Sequence, residues 1–442
     1  MNWSTGRDLH PGPRICSPLH SYSATRAMVS HEARRLLEEC SERARTSPST
    51  SPHTLMDGPH PLAAVPRVAS RFDGLGVGFA PYLQPPGPEI SRLTVGEPGF
   101  GTPREVIDAA IAGLEAGETK YSRCAGTLDL CQAVADYLEK HHGIEVGSGD
   151  VVITPGAKQA LLYSFMITTM PGDEAILLAP SWASYEPMLQ LIGAVPVHVQ
   201  VREDNFHPDC DAIRAAITDK TRMILVNSPC NPTGAVYTPA EIAEIVEIAV
   251  EHDLWIISDE IYARLNWMDY PHVSPATIPG GAERTLIVNG WSKSWAMTGM
   301  RVGFLAGPPE AMKAAVKSQA NSASHIPTFM MEAARVALSC DDAVEHFNAE
   351  YLKRREIMRD GLSSIPGLRV GECEGAFYTY VDVRGTGMSD IEFADGALEA
   401  GVQLIPASLI AGGEGFVRIS YAADENVIHE GLARLRAWLC DE

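Results

Sequence analysis

Between residues 151 and 258, short apolar runs alternate with stretches patterned as helices, and this alternation restricts the chain to few architectures. VVIT (151–154), EAILLA (174–179), VPVHVQV (195–201), MILVN (223–227) and LWIIS (254–258) are apolar, largely β-branched, and too short to be helices. Helical patterns follow from about Ala157, near Trp182 and over Pro239–His252. Strands buried on both faces and alternating with helices specify an α/β fold with a mainly parallel central sheet. Ligands in such folds bind outside the carboxyl ends of the strands. The residues just after each run are therefore the ones to examine for chemistry.

One such place is the stretch Thr285–Pro308, TLIVNGWSKSWAMTGMRVGFLAGP, which holds Lys293 in a polar turn between two strand-like runs, Thr285–Val288 and Met300–Leu305. Trp291 and Trp295 crowd its amine. Desolvation disfavours the ammonium and lowers its pKa, which makes a lysine nucleophilic enough to form a Schiff base. A surface lysine in a loop is the ordinary alternative. Arg301, eight residues on, offers a five-donor fork suited to a phosphate.

Other strand ends carry groups that gain sense together. Asp259 ends LWIIS; a buried carboxylate needs a cationic partner, and a protonated pyridine nitrogen is one, although an aspartate there can equally cap a helix. Asn231, in the turn NSPCNPTG, and Tyr262 can both hydrogen-bond a phenolate oxygen. Pro155-Gly156-Ala157-Lys158 joins a strand to a helix and presents backbone N–H groups as a phosphate cup. Trp182 can lie flat on an aromatic ring or be a core residue. Arg418 interrupts an apolar strand and calls for a carboxylate, from the protein or from a substrate.

At 442 residues and 45% hydrophobic content, the chain can bury a large core. A net charge of −21 argues against broad nucleic-acid or anionic-membrane binding. The N-terminus lacks the apolar core of a secretory signal and no run is long enough to span a membrane, so the expected location is the cytoplasm. The nine cysteines show no CxxC, which signals neither a disulfide framework nor a zinc site. His141–His142 reads as a solvated helix end before Gly143 rather than a metal site, and no metal is expected.

Three parts are expected. Residues 1–90 form an N-terminal extension, irregular except for a helix at Ala24–Cys40; its nine arginines against eight acidic residues do not make a DNA-binding module, which disfavours a transcriptional regulator. Residues 91–320 form the large domain. Residues 321–442 form a smaller α+β domain, the pattern shifting after about Lys313 to long helices at Glu310–Leu338, with breaks, and Asp342–Ser363. Strands near Ala376–Val383 and Gly415–Ile419 and helices near Asp390–Ala400 and Asn426–Leu439 follow.

In order and spacing, VGEP, TPGAKQAL, APSWASY, NSPCNPTGAVY, SDEIY, SKSWAMTGMRVGF, GAFY and VRISYA resemble the class I/II aminotransferases, the aspartate aminotransferase-like enzymes of fold type I that use pyridoxal 5′-phosphate. The resemblance implies that Lys293 forms the internal aldimine and then acts as general base for a 1,3-proton shift. It implies that Asp259 pairs with the pyridinium, that Asn231 and Tyr262 bind the ring hydroxyl oxygen, and that Trp182 stacks on the ring. Gly156, Ala157, Ser292 and Arg301 would hold the phosphate, with Lys158 beside them and Tyr121 reaching the phosphate of a partner subunit in a homodimer. Arg418 would clamp the substrate α-carboxylate, with Gly96 and Phe377 nearby, and Lys158 would meet a distal carboxylate of an acidic substrate.

Departures from the family pattern cluster around substrate access: Gly99 and Gly101 in GEPGFGTP, Cys131 where an arginine is common, and Ala407 in the short loop PASLIAGGEG. The expected reaction is amino-group exchange between an amino acid and a 2-oxo acid. The alternative on the same scaffold is an elimination, replacement or ring-forming lyase reaction, since fold alone does not choose between them.

Overall fold

The computed structural model describes residues 69–72, 75, 87, 89–410 and 413–440, all within one compact unit, Val68–Glu442. The helix expected at 24–40 lies outside the described residues. Strand β1 (Ser91–Arg92) is followed by the seven strands of a large sheet: β2 (Val151–Thr154), β3 (Glu174–Ala179), β4 (Val195–Gln200), β5 (Thr221–Asn227), β6 (Trp255–Asp259), β7 (Thr285–Gly290) and β8 (Gly303–Ala306). Their order across the sheet is β2-β8-β7-β6-β5-β3-β4. Only β8 runs against the others, pairing antiparallel with both β7 and β2.

Period-2 alternation sorts the strand residues to the two faces. Ala175, Leu177, Met223, Leu225 and Ile257 join one core with the helices Ala157–Thr168 and Pro309–Ala320. Ile176, Leu178, Ile224, Val226 and Ile256 join another with the helix Pro239–Glu251. Full burial of each such isoleucine or leucine is worth about 1.5–3 kcal/mol. The helix Pro239–Glu251 starts sharply because Thr238 and Glu241 satisfy each other's orphan N–H groups in a capping box, with proline in its first turn.

The antiparallel β8 matters for function. Because the chain reverses after β7, the connection 291–302 stays at the carboxyl edge of the parallel strands, where β2, β3, β5 and β6 also end. The expected strand Met300–Leu305 is corrected here. Thr298–Met300 is a 3-10 turn and Arg301 adopts φ 55°, so the strand starts only at Gly303 and Arg301 stays in the edge loop.

Beyond the large sheet, β9 (Arg369–Val370), β10 (Tyr378–Asp382), β12 (Ile405–Pro406) and β13 (Phe416–Ser420) form an antiparallel sheet in the order β12-β13-β10-β9, and β11 (Val402–Gln403) pairs in parallel with β1. One core unites Val381, Val417 and Ile419 with Tyr351, Phe393 and Ile428 from the helices Asp341–Ser363, Asp390–Glu399 and Glu425–Cys440, and Leu93 belongs to it. The helices expected at Glu310–Leu338 are two, Pro309–Ala320 and Thr328–Ala337. No described helix is long and apolar enough to cross a membrane.

Candidate active site

Strand register assembles the site. Asn227, the last residue of β5, stands opposite Asp259, the last of β6, which stands opposite Val288 of β7. Asn227 Nδ2 donates to the Asp259 carbonyl at 2.9 Å, and Asn227 Oδ1 accepts from the Asn231 N–H at 2.9 Å. The turn after β5 is thereby tied to the end of β6. Asn231 Oδ1 in turn accepts from Arg418 Nη1 at 2.9 Å, while Arg418 Nη2 donates to the Thr94 carbonyl at 2.8 Å. Arg418 sits on β13, so the small sheet is fastened to the edge of the large one.

These residues surround a cavity of about 350 Å³. Gly96, Ala157, Lys158, Trp182, Asn231, Asp259, Tyr262, Ser292, Lys293, Arg301 and Arg418 all line it. Phe377 stands behind the lining, its ring centroid 5.7 Å from Lys293 Nζ. Tyr121 is not part of this wall: it is exposed and packs edge-on against His325. The helix expected near Trp182 begins only at Tyr185, so Trp182 lies in the preceding turn, with Lys158 Nζ 4.7 Å over its ring.

Lys293 opens onto the cavity and is enclosed on its other sides. Its Nζ donates to the Gly96 carbonyl and lies 5.7 Å from the Tyr262 ring centroid. Burial, reinforced by the positive Arg418, pulls its pKa down to about 8, with Glu97 and Asp259 opposing. Asp259 is 4% exposed, and burial pushes its carboxyl up to about 6 against the stabilising hydrogen bond from Tyr185 Oη at 2.7 Å. A proton-hungry carboxylate and a deprotonation-prone amine thus face one cavity. Four cationic side chains line it, in a chain of net charge −21, so the cavity attracts phosphates and carboxylates.

At one end, Gly156 adopts φ 82° at the start of the helix Ala157–Thr168, whose first N–H groups have no intrahelical acceptor. A Cβ on Gly156 would come within 2.5 Å of Arg301 Nη2, so only glycine lets the guanidinium lie over this turn. Lys158 Nζ donates to Ser184 Oγ at 3.1 Å; burial and the neighbouring Arg301 lower its pKa.

The family profile for class I and II aminotransferases matches residues 88–435. The chain belongs to the class I and II aminotransferases. It is 38% identical over 357 residues to the aspartate/prephenate aminotransferase of Thermus thermophilus, covering 80% of this chain and 91% of that one. It is likewise 38% identical to aromatic-amino-acid aminotransferase 2 of Thermococcus litoralis, over 78% of this chain and 90% of the relative. The solved structure of the Thermus thermophilus aspartate aminotransferase with maleate superposes with a TM-score of 0.76 at 38% identity, over 79% of this chain and 92% of that one. The protein is a pyridoxal 5′-phosphate-dependent transferase that moves an amino group between an amino acid and a 2-oxo acid, on fold type I. The lyase alternative gains nothing from these relatives, which are all aminotransferases.

The aminotransferase cavity fits its cofactor on its own chemistry. It offers a buried carboxylate at one wall, a glycine turn under an arginine at one end, and an amine between them. Sequence reasoning passed over two residues that complete it. Tyr185 donates to Asp259, and the Tyr378 hydroxyl lies 2.9 Å from that of Tyr262 and under Arg418, whose Cζ is 4.5 Å from the Tyr378 ring centroid. Both stand inside the motifs APSWASY and GAFY, but only their contacts distinguish them from core tyrosines. Among the departures, Gly99 is required by packing, since a Cβ would meet the Ala422 carbonyl at 2.5 Å, whereas a Cβ on Gly101 would meet nothing. Cys131 is fully buried and donates to the Ala125 carbonyl.

Proposed function

We propose that Lys293 is the residue that binds the cofactor covalently and moves the substrate proton, and that the substrates include acidic amino acids such as aspartate or glutamate. The supporting observation is the placement of four charged groups around one cavity: the Asp259 carboxylate at the end of β6 and the Lys293 amine in the connection after the adjacent β7, with Arg418 and Lys158 also in its lining. Pyridoxal phosphate, when bound, supplies an electron sink that stabilises negative charge at the substrate α-carbon. In this reading Asp259 holds the ring nitrogen protonated, Asn231 and Tyr262 hold the ring oxygen, and Trp182 stacks on the ring. Gly156, Ala157, Ser292 and Arg301 take the phosphate.

Arg418 orients the substrate by its α-carboxylate, beside Gly96 and Phe377. The Gly96 carbonyl accepts from Lys293 Nζ and aims it. With its pKa near 8, that amine can hold a proton and give it up at neutral pH, as a general acid–base must. The aromatic rings of Tyr262 and Phe377 exclude water around it. Lys158 supplies a second cation for a distal carboxylate, a reading supported by the maleate, a dicarboxylate, in the Thermus structure.

The exposure of Tyr121 supports a role across a homodimer interface, where it would reach the partner's phosphate. We read residues 91–320 as the large domain, 321–442 as the small one and 1–90 as an extension, in a cytoplasmic enzyme. Aspartate, glutamate and phenylalanine offered to the holoenzyme with a 2-oxo acid acceptor test the reaction and its range. Release of the matching 2-oxo acid, with preference for the acidic donors, supports this reading. Release of ammonia or of a side-chain leaving group would replace it with a lyase.

A further inference from the structure

We propose that His142, Glu260 and His272 form a binding site for one divalent transition-metal ion of the zinc class, on the side of β6 away from the cofactor cavity. Successive residues of an extended segment point to opposite sides. Asp259 faces the cavity, so Ser258 and Glu260 face away, and Ser258 Oγ donates to Glu260 Oε1 at 2.9 Å. His272 comes from the loop after β6 and His142 from the last turn of the helix Leu128–His142. The three elements converge on one point, where a ligand atom from each residue lies within 4.8 Å of the other two. His142 is therefore not the solvated helix end expected from its position before Gly143.

Glu260 Oε2 and His272 Nε2 are buried and face each other at 3.4 Å, within ion-pair distance, and neither has a hydrogen bond to any other group. Two ligands of one tetrahedral zinc ion, with bonds of about 2.0–2.1 Å, stand roughly 3.3–3.4 Å apart. The pair already has that spacing, and the other separations in the trio, all within 4.8 Å, have to close by at most roughly 1.4 Å. His142 can supply this movement, being half-buried at a helix end, and the same position gives an ion its way in.

Outer hydrogen bonds hold the ligands, as metal sites require. Ser258 and Ser274 donate to Glu260 Oε1 and leave Oε2 for the ion, and the Tyr137 hydroxyl lies 3.2 Å from His142 Nε2. The nearby Arg264 guanidinium is paired with Asp341 at 3.0 Å. Two imidazoles and one carboxylate suit zinc, cobalt or nickel and are poor ligands for magnesium or calcium.

The test is titration of chelator-stripped holoenzyme with Co²⁺ and Zn²⁺. Expected are one equivalent of Co²⁺ per chain, with the visible absorption of a four-coordinate nitrogen/oxygen site and no thiolate band, and a Zn²⁺-dependent rise in thermal midpoint. His142→Asn, a substitution at a half-buried helix end that leaves the buried pair in place, should weaken binding at least tenfold and remove the Zn²⁺-dependent rise. Glu260→Gln should do the same where it folds. Absence of saturable binding, a thiolate band, or a Co²⁺ spectrum unchanged in His142→Asn would overturn the proposal.

Discussion

Arg418 Nη1 donates to Asn231 Oδ1 at 2.9 Å, so the arginine read as the substrate-carboxylate clamp and the amide read as the ring-oxygen ligand form one hydrogen-bonded unit. Arg418 is 2% exposed and Asn231 is 7% exposed, so neither is free to move alone. Arg418→Lys keeps the charge and loses the fork. It should lower kcat/KM by roughly 30- to 1000-fold, about 2–4 kcal/mol, through both the substrate and the cofactor ring. Arg418→Ala and Asn231→Ala should be non-additive in a double-mutant cycle; strict additivity would separate the two roles.

Lys293→Ala should remove transamination by at least about 10²–10⁴-fold, the range of a lost general acid–base, and should abolish borohydride trapping of cofactor on the chain. In apo-protein the depressed pKa leaves the amine increasingly neutral as pH rises through about 8. The rate of Lys293 modification by an acylating reagent should follow that midpoint. A midpoint near the ordinary lysine value of 10.5 would contradict the burial argument.

Asp259 binds its proton more tightly in the folded apo-protein than in the unfolded chain, its carboxyl standing at about 6 instead of 3.8. The folded state therefore loses stability as pH rises from about 3.8 to about 6. Asp259→Asn removes that loss and should stabilise the apo-protein at pH 7 by on the order of 1–3 kcal/mol, read from urea midpoints at pH 4 and pH 7. The same substitution should weaken cofactor retention. Greater stability without the cofactor and poorer binding with it would mark the carboxylate as retained for chemistry.

Lys158→Ala should discriminate between substrates. If Nζ meets a distal carboxylate, kcat/KM for aspartate should fall by roughly tenfold or more while that for phenylalanine stays within a few-fold. Equal losses for both would assign Lys158 to the cofactor end of the cavity, beside Arg301.

His207 offers a prediction away from the site. It bridges Glu241 Oε2 at 2.8 Å and Glu374 Oε2 at 3.0 Å, joining the helix Pro239–Glu251 to the loop before β10. Burial alone would lower its pKa, but the two carboxylates outweigh it and raise it to about 9, while Glu241 falls to about 2. A raised histidine stabilises the fold fully below about 6.5, and the contribution fades as pH rises through about 9. His207→Gln should lower the thermal midpoint at pH 6, by about 1–3 kcal/mol of stability, and have little effect at pH 9.5.

Much of the fold was legible because its signals are local. The runs VVIT, EAILLA and MILVN show as strands through their own composition, and the residues that follow them lie at the sheet edge whatever the details of packing. Lys293, Asp259, Asn231, Gly156 and Arg301 could be named for the same reason: each stands at a strand end or in the turn beside one. Element boundaries were less legible where backbone geometry overrides pattern. Arg301 has the residue context of a strand, but its positive φ keeps it out of one.

What the linear chain determined by itself was the alternation of elements and the chemical types at their ends, because both are written in spacings of a few residues. What only the tertiary structure decided were contacts across long separations. The Arg418–Asn231 bond spans 187 positions, the Tyr185–Asp259 bond spans 74, and the meeting of His142 with Glu260 and His272 needs three elements to converge. A hydrogen bond is sensitive to tenths of an ångström, and no local pattern carries that distance across a fold.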